Sequence, residues 1–560
     1  MKNWFYFTSS LLMTLISSCA NMGMPPPGGP KDTQPPKLLF SVPKDQSVQF
    51  NGKVIKLVFD EYIEVKNLKS GLIITPSIKG DYEFKLNKNT LTLTFEQDFE
   101  PQTTYVLDFG QTIQDVNERN KAENLRLAFS TGNQIDTANI SGRVTELLTG
   151  APEIKAAVLL YKWDDTLDVF KHKPLYQTRT DSSGKYHLKN IKPDKYKIYA
   201  LQEGSESDLI YNNSQEAIGF DSAAIDLTDR SFRTVDLQTV RYDTRPFRRT
   251  QARPVRQLYE IKFNKGLYAA HLEYADTANA SKLRWMREND VIRFFRTSQY
   301  QLGDSVKVFL TALDSAGNQL SDTLDVYFAD VSKEKSIRKT PFEAKESPPS
   351  GALITPLINQ LKFDIHFSKP VSQAAIDSIQ YQVVIAKDTL KNQKLTLQDY
   401  TWDKNLTRLT VSKNFGKNVK EFKMKIGKNA FISVESDTLK PKEISYKERD
   451  PNELASVSGQ VRTKYPYFIV QLTSEKFIVE QELFNKNEFK FEYVTPGNKR
   501  LRIIGDLNNN GKWDAGNPAK GILPEPVYIF GEVIKVKPKW EYEDIIIDTS
   551  SFSLQSVNND

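Results

Sequence analysis

Short runs in which apolar and polar side chains alternate recur along the whole chain. Examples are VIKLVFD (Val54–Asp60), TLTLTFE (Thr90–Glu96), YKIYAL (Tyr196–Leu201) and LKFDIHF (Leu361–Phe367). A period of two sends one row of side chains into a core and the other into solvent, as a half-buried strand requires. Asn, Asp, Gly, Lys and Pro punctuate the runs, and helical periodicity is scarce. Many short strands at such spacing predict an all-β protein built of sandwiches. A chain of 560 residues is too long for one core, so several domains are expected in series.

The pattern also repeats at domain scale, in two interleaved types. The first type opens with VPKDQSV, carries FDEYI (Phe59–Ile63), continues through LTLTFEQDFEPQTTYVLDFG and closes on FSTG (Phe129–Gly132). Residues 36–132 thereby resemble the SbsA-type bacterial Ig-like domain. Weaker likenesses run over 257–340, with FNKGL and VYFADV, and over 351–450, where HFSKPV stands in the place of FDEYI. The second type begins at ISGRV (Ile140–Val144) and continues through AAVLLYKW and GKYHLKNIKPDKYKIYAL. Residues 137–240 resemble the transthyretin-like, carboxypeptidase regulatory-like domain, whose usual turns fall at Asp181, Gly184 and Pro193. A second copy over 454–550 starts at VSGQV and carries NEFKFEYVTPGNKRLRIIGD. Both resemblances imply β-sandwiches, and the second implies a non-catalytic accessory domain. Between the second and third sandwiches RYDTRPFRRTQARPVR (241–256) reads as a basic linker, and 551–560 as a polar tail.

The N-terminus points to export. Residues 1–18 have Lys2 followed by an apolar run from Trp4 to Ile16, too short to span a bilayer and of the form of a signal peptide. Ile16-Ser17-Ser18-Cys19 resembles the lipobox of bacterial lipoproteins, which implies a covalent lipid on Cys19, the one cysteine of the chain. With Cys19 lipidated, disulfides and cysteine–zinc sites are excluded. Residues 19–35 then form the lipidated Cys and a Pro/Gly-rich flexible tether. Ala20–Pro36 could span roughly 50 Å at ~3.1 Å per residue. Similar tethers occur in lipoproteins of the Bacteroidota. Surface-displayed members often carry acids just after the Cys, whereas the first acid here is Asp32, so the expected location is the outer membrane, facing the periplasm.

Composition narrows the function. A formal charge of +6 over 560 residues is too small for a dedicated nucleic-acid binder. His172, His187, His271 and His366 show no paired metal spacing, and no nucleophile elbow, phosphate loop or dinucleotide fingerprint occurs. The expectation is a non-enzyme. Asp followed by Ser or Thr and then a small or aliphatic residue occurs ten times. The pattern resembles the O-glycosylation sequon of exported Bacteroidota proteins, and it also suits a strand opening after a turn.

One stretch has the pattern of a hard-cation loop. In GDLNNNGKWDAGN, Asp506, Asn508, Asn510 and Asp514 take positions 1, 3, 5 and 9 of an EF-hand-type loop, Lys512 offers a carbonyl at 7, and Gly511 allows the turn at 6. Position 12 is Asn517 in place of the bidentate Glu, and Glu525 is a more distant acid that could serve. The expectation is a weak structural calcium site, roughly 10⁻⁴–10⁻³ M. The alternative is a metal-free loop of Asx turns. In the first copy Glu203 takes the place of Asp506 and Tyr211 that of Asp514, so the fold tolerates loss of the set. The reading as a whole is a non-catalytic outer-membrane lipoprotein, an envelope scaffold or protein-interaction module with unidentified protein partners and outer-membrane lipid through Cys19. The alternatives are an accessory subunit of an outer-membrane machine for assembly, secretion or uptake, and a carbohydrate-binding surface lipoprotein.

Overall fold

The computed structural model describes residues 31–549 except 205–207, 213–214, 230, 243–245, 315–316, 331–339, 357 and 386. Strands dominate it, and the few helical turns are short. In the first sandwich one sheet runs Leu38–Val42, Val54–Phe59, Thr90–Phe95, Tyr82–Asn87, and it faces a sheet of Ile73–Thr75, Thr104–Asp108 and Arg126–Ser130. The alternation does what the sequence requires. Ile55, Leu57, Phe59, Leu91 and Leu93 point inward onto Tyr105, Leu107 and Phe129, while Lys56 and Thr94 remain exposed. After FDEYI, Ile63–Val65 crosses to pair with Ile113–Asp115. The fourth sandwich repeats the device: after HFSKPV, Val371–Ala374 pairs with Phe431–Ser433. The sequence parallel between these two motifs thus has a counterpart in strand pairing.

Two boundaries differ from the expectation. Arg249–Val255, inside the stretch read as a basic linker, is a strand paired antiparallel with Leu258–Phe263, and Phe247 belongs to the core of the third sandwich. An edge strand needs ladder hydrogen bonds more than apolar side chains, and it tolerates exposed Arg and a Pro such as Pro254. The run therefore lacked the alternation of its neighbours. Likewise Phe342 and Ala344 lie in the core of the fourth sandwich, which begins before residue 351.

The second and fifth sandwiches share one strand plan. Ala138–Glu146 pairs antiparallel with Lys185–Ile191 and parallel with Leu237–Arg241. Ala455–Arg462 pairs antiparallel with Glu488–Val494 and parallel with Glu541–Asp548. The registers also correspond. Leu159 faces Tyr199 and Leu201 faces Ile218 in one copy, as Gln471 faces Arg502 and Ile504 faces Val527 in the other. Each copy has its own core, and in the second copy Leu237–Arg241 pairs on both sides and joins all the strands into one continuous sheet, whereas the fifth keeps two.

The chain is not a simple row of these units. The side of the second sandwich that an alternating pattern would give to water carries Leu159, Leu201 and Ile218, and these are fully buried together with Ile469, Ile504 and Val527 of the fifth. The two repeats dock through the same face of each and share a sixth apolar core. Arg502, itself buried, donates from Nη1 to the Leu148 carbonyl across this junction at 2.9 Å, and from Nε and Nη2 to Gln471 Oε1 at 2.9 and 2.6 Å. Burial pulls the guanidinium below its ordinary pKa, opposed by the charge of Glu146. We call this junction the clasp.

Candidate functional site

The Asp/Asn loop leaves the end of Gly497–Gly505, the strand whose Ile504 lies in the clasp. Asp506 accepts from the Asn510 N–H (3.0 Å) on Oδ1 and from the Gly511 N–H (2.8 Å) on Oδ2, so its carboxylate closes the turn. Gly511 holds φ +72°, which a side chain would strain. Asn508 and Asn510 each donate from Nδ2 to Asp514 Oδ2, at 2.6 and 2.7 Å. The fold also brings in the distant acid: Glu525 accepts from the Leu507 N–H (2.6 Å) and the Asp514 N–H (2.9 Å), spanning both ends of the loop. Asp506 and Glu525 are buried. Burial pushes the Glu525 carboxyl up, and the charges of Asp514 and Asp506 add to the shift.

All the loop residues singled out in the sequence are therefore neighbours, with one difference. The Lys512 ammonium reaches out of the domain to the Tyr268 ring of the third sandwich, 4.4 Å from its centroid. Trp513 and Ala515 pack against the clasp core, and the Trp513 indole N–H donates to the Glu525 carbonyl at 3.1 Å. The loop is a junction between sandwiches, whereas the sequence placed it inside one. Cys19 lies outside the described residues.

Register comparison of the copies exposes a change of charge. Glu203 and Glu216 occupy the places of Asp506 and Glu525, and both copies bury this pair of acids. In the first copy Arg179 on the neighbouring strand ion-pairs with Glu203 at 2.8 Å. The residue in that strand position in the fifth sandwich is Phe484, whose ring lies beside Gly511. No Lys or Arg ion pair reaches Asp506, Asp514 or Glu525 among the described residues. Nor do three His, Cys, Asp or Glu side chains there converge closely enough to hold a metal unaided. Calcium would need the Asn508 and Asn510 amides turned about, so that their oxygens join Asp514, with the Lys512 carbonyl beside them. The two orientations of an amide are interchangeable in this sense. Oxygen donors are the type calcium takes.

A cavity of about 660 Å³ lies between the third and fourth sandwiches. Five of its charged side chains are paired. Arg293 donates to Glu260 at 2.9 Å and also to Glu288, and buried Lys369 lies 2.6 Å from Glu435 and contacts Asp437. His366 also lines it. The tryptophans among the described residues do not gather into a platform. Trp402 stacks on Phe367 at 5.6 Å, Trp513 serves the clasp, and Trp540 stands exposed beside Tyr542. In the Asp-Ser/Thr motifs followed by Ala, Val, Ile or Leu, every described Ser or Thr is exposed, from Thr137, Thr166 and Ser222 to Thr389 and Thr438, whereas Thr549, followed by Ser550, is buried.

The geometry defines an all-β chain of packed sandwiches. Residues 32–131, the first of them, match the family described as a bacterial Ig-like domain. The comparison with curated proteins found no match. Among solved structures the chain is similar to the TIE protein of Bacillus anthracis, at 8% identity over 96% of this chain and 78% of that one, with a TM-score of 0.14. It is also similar to BcpA, the major pilin subunit of Bacillus cereus, at 11% identity over 74% and 99%, with a TM-score of 0.12. A third likeness is to the S-layer protein rSbsC, at 9% identity over 90% and 67%, with a TM-score of 0.14. Scores this low support no argument about function.

Proposed function

We propose that the protein is a non-catalytic, lipid-anchored outer-membrane lipoprotein that acts as a scaffold or protein-interaction module of the cell envelope. The observation that carries this reading is the clasp. Beyond the interior of each sandwich, the chain buries additional apolar surface to hold two sandwiches together, and in the cavity between the third and fourth sandwiches Arg293 with Glu260 and Lys369 with Glu435 are engaged in ion pairs. In this reading Cys19 carries the lipid, the second and fifth sandwiches are transthyretin-like modules, and the first faces the membrane through its tether. The exposed Asp-Ser/Thr hydroxyls suit glycan attachment. For the Cys19→Ala variant the expected result is loss of metabolic lipid labelling and release from the membrane pellet into the soluble fraction. A variant that stays membrane-bound and labelled would contradict the anchor. Crosslinking from the native envelope identifies the partner, and recovery with a β-barrel protein at equal stoichiometry would favour the accessory-subunit alternative.

We further propose that calcium takes the place in the fifth sandwich that Arg179 takes in the second. Three acids without a cationic side-chain partner, gathered at one turn with Asp506 and Glu525 buried, favour a bound dication. At ~10 mM calcium and a Kd of about 10⁻⁴–10⁻³ M, linkage gives roughly 1–3 kcal/mol of added stability. The expected result is a calcium-dependent rise in the unfolding temperature that Phe484→Arg abolishes, because the guanidinium supplies the missing charge. An equal response in wild type and variant, or none in wild type, refutes it.

A further inference from the structure

We propose that the clasp also closes between two copies of the chain, the fifth sandwich of one docking on the second sandwich of another. Four observations bear on this. Each docking face belongs to a sandwich with its own complete core, so neither interior depends on the other being present. The intervening stretch contains two more sandwiches, also with separate cores, and is long enough to act as a spacer. The faces are apolar, with Leu159, Leu201 and Ile218 on one side and Ile469, Ile504 and Val527 on the other. A copy that has opened therefore presents two surfaces that water disfavours and that fit each other.

The fourth observation selects the occupant. At the two register positions where the second sandwich has Leu159 and Tyr199, the fifth has Gln471 and Arg502. The Arg502 guanidinium is satisfied by its own Gln471 and by the Leu148 carbonyl of the second sandwich. A pair of fifth sandwiches would bury two guanidiniums with no Leu148 carbonyl to receive them, and leaving such donors unpaired is heavily unfavourable. A pair of second sandwiches has no guanidinium to meet that carbonyl. The matching partner for a free second sandwich is a fifth sandwich, and the nearest external source is another copy of this chain. Contacts in cis and in trans are the same, so effective concentration sets the balance. Confinement to a membrane through Cys19 would favour exchange. The exchange itself does not depend on the anchor.

The test uses residues 20–560, which lack the natural cysteine. A Cβ at Gly150 would lie 3.2 Å from Ile529 Cδ1, so Gly150→Cys and Ile529→Cys bracket the clasp, with local strain at position 150 from its φ of +66°. The double variant should oxidise to a disulfide-closed monomer, which also shows that the substitutions leave the clasp intact. The two single variants, mixed and oxidised, should form a dimer joined between positions 150 and 529, with a yield that rises with protein concentration. If the double variant closes in cis while the mixture gives no 150–529 bond at any concentration, or only 150–150 and 529–529 bonds, exchange does not occur. Either outcome leaves the scaffold reading standing.

Discussion

Replacing Ile504 by Asp is expected to open the clasp without unfolding the fifth sandwich. Ile504 is 1% exposed and lies outside the core between that domain's own sheets, in the cluster shared with the second sandwich. A carboxylate held there without a partner costs about 3–5 kcal/mol, by analogy with a buried pair from which one member is removed. Parting of the two faces hydrates the charge, and each sandwich retains its interior. Trp513, packed against the same cluster, should become solvated, with a red-shifted emission, while the strand signal in circular dichroism is unchanged. Loss of strand signal would mean that the fifth sandwich depends on the clasp to fold.

The second large effect concerns the third sandwich. Lys265 and Asp314 form an ion pair of 3.2 Å in which both side chains are almost fully buried. Burial raises the Asp314 carboxyl, but hydrogen bonds from the Asn318 side chain and backbone, and then the Lys265 contact, outweigh it and hold the pKa below the ordinary value. Lys265→Met should therefore cost about 3–5 kcal/mol by leaving a buried carboxylate short of its counter-ion. Lys265→Met combined with Asp314→Leu should recover much of the loss, since an apolar pair of similar size is often as stable. The pH dependence follows from the sign of the shift. A depressed folded pKa contributes stability that is present above the unfolded value of 3.8 and is lost as pH falls through the folded value. Acid denaturation of the wild type should include this component, and the double variant should lack it. Equal midpoints for the wild type and the Lys265→Met variant would show that the pair contributes nothing.

The strands were legible because alternation is a local property. LKFDIHF becomes Gln360–Phe367 with Leu361, Phe363, Ile365 and Phe367 buried and Lys362 exposed. The second burial of the two repeats was also written in the chain, in a form that alternation passes over. AVLLYK, FIVQLTS and LRIIG contain unbroken apolar runs, and such runs mark strands covered on both faces. What could not be read was the cover itself, since it lies more than three hundred positions away. The loop shows the same division. Asp506 to Asp514 was visible because its ligand spacing is local. The role of Glu525 and the exchange of Arg179 for Phe484 emerge only once register places three separate segments side by side. Arg249–Val255 escaped notice because an edge strand can be charged, and charge reads as linker.

Small-angle scattering from residues 20–560 and from the same chain with Ile504→Asp tests the central claim most directly. With the fifth sandwich folded back onto the second, the wild type should be the more compact, and the substitution should increase the radius of gyration and lengthen the distance distribution. Identical extended profiles for both would contradict the clasp and return the molecule to a simple row of sandwiches.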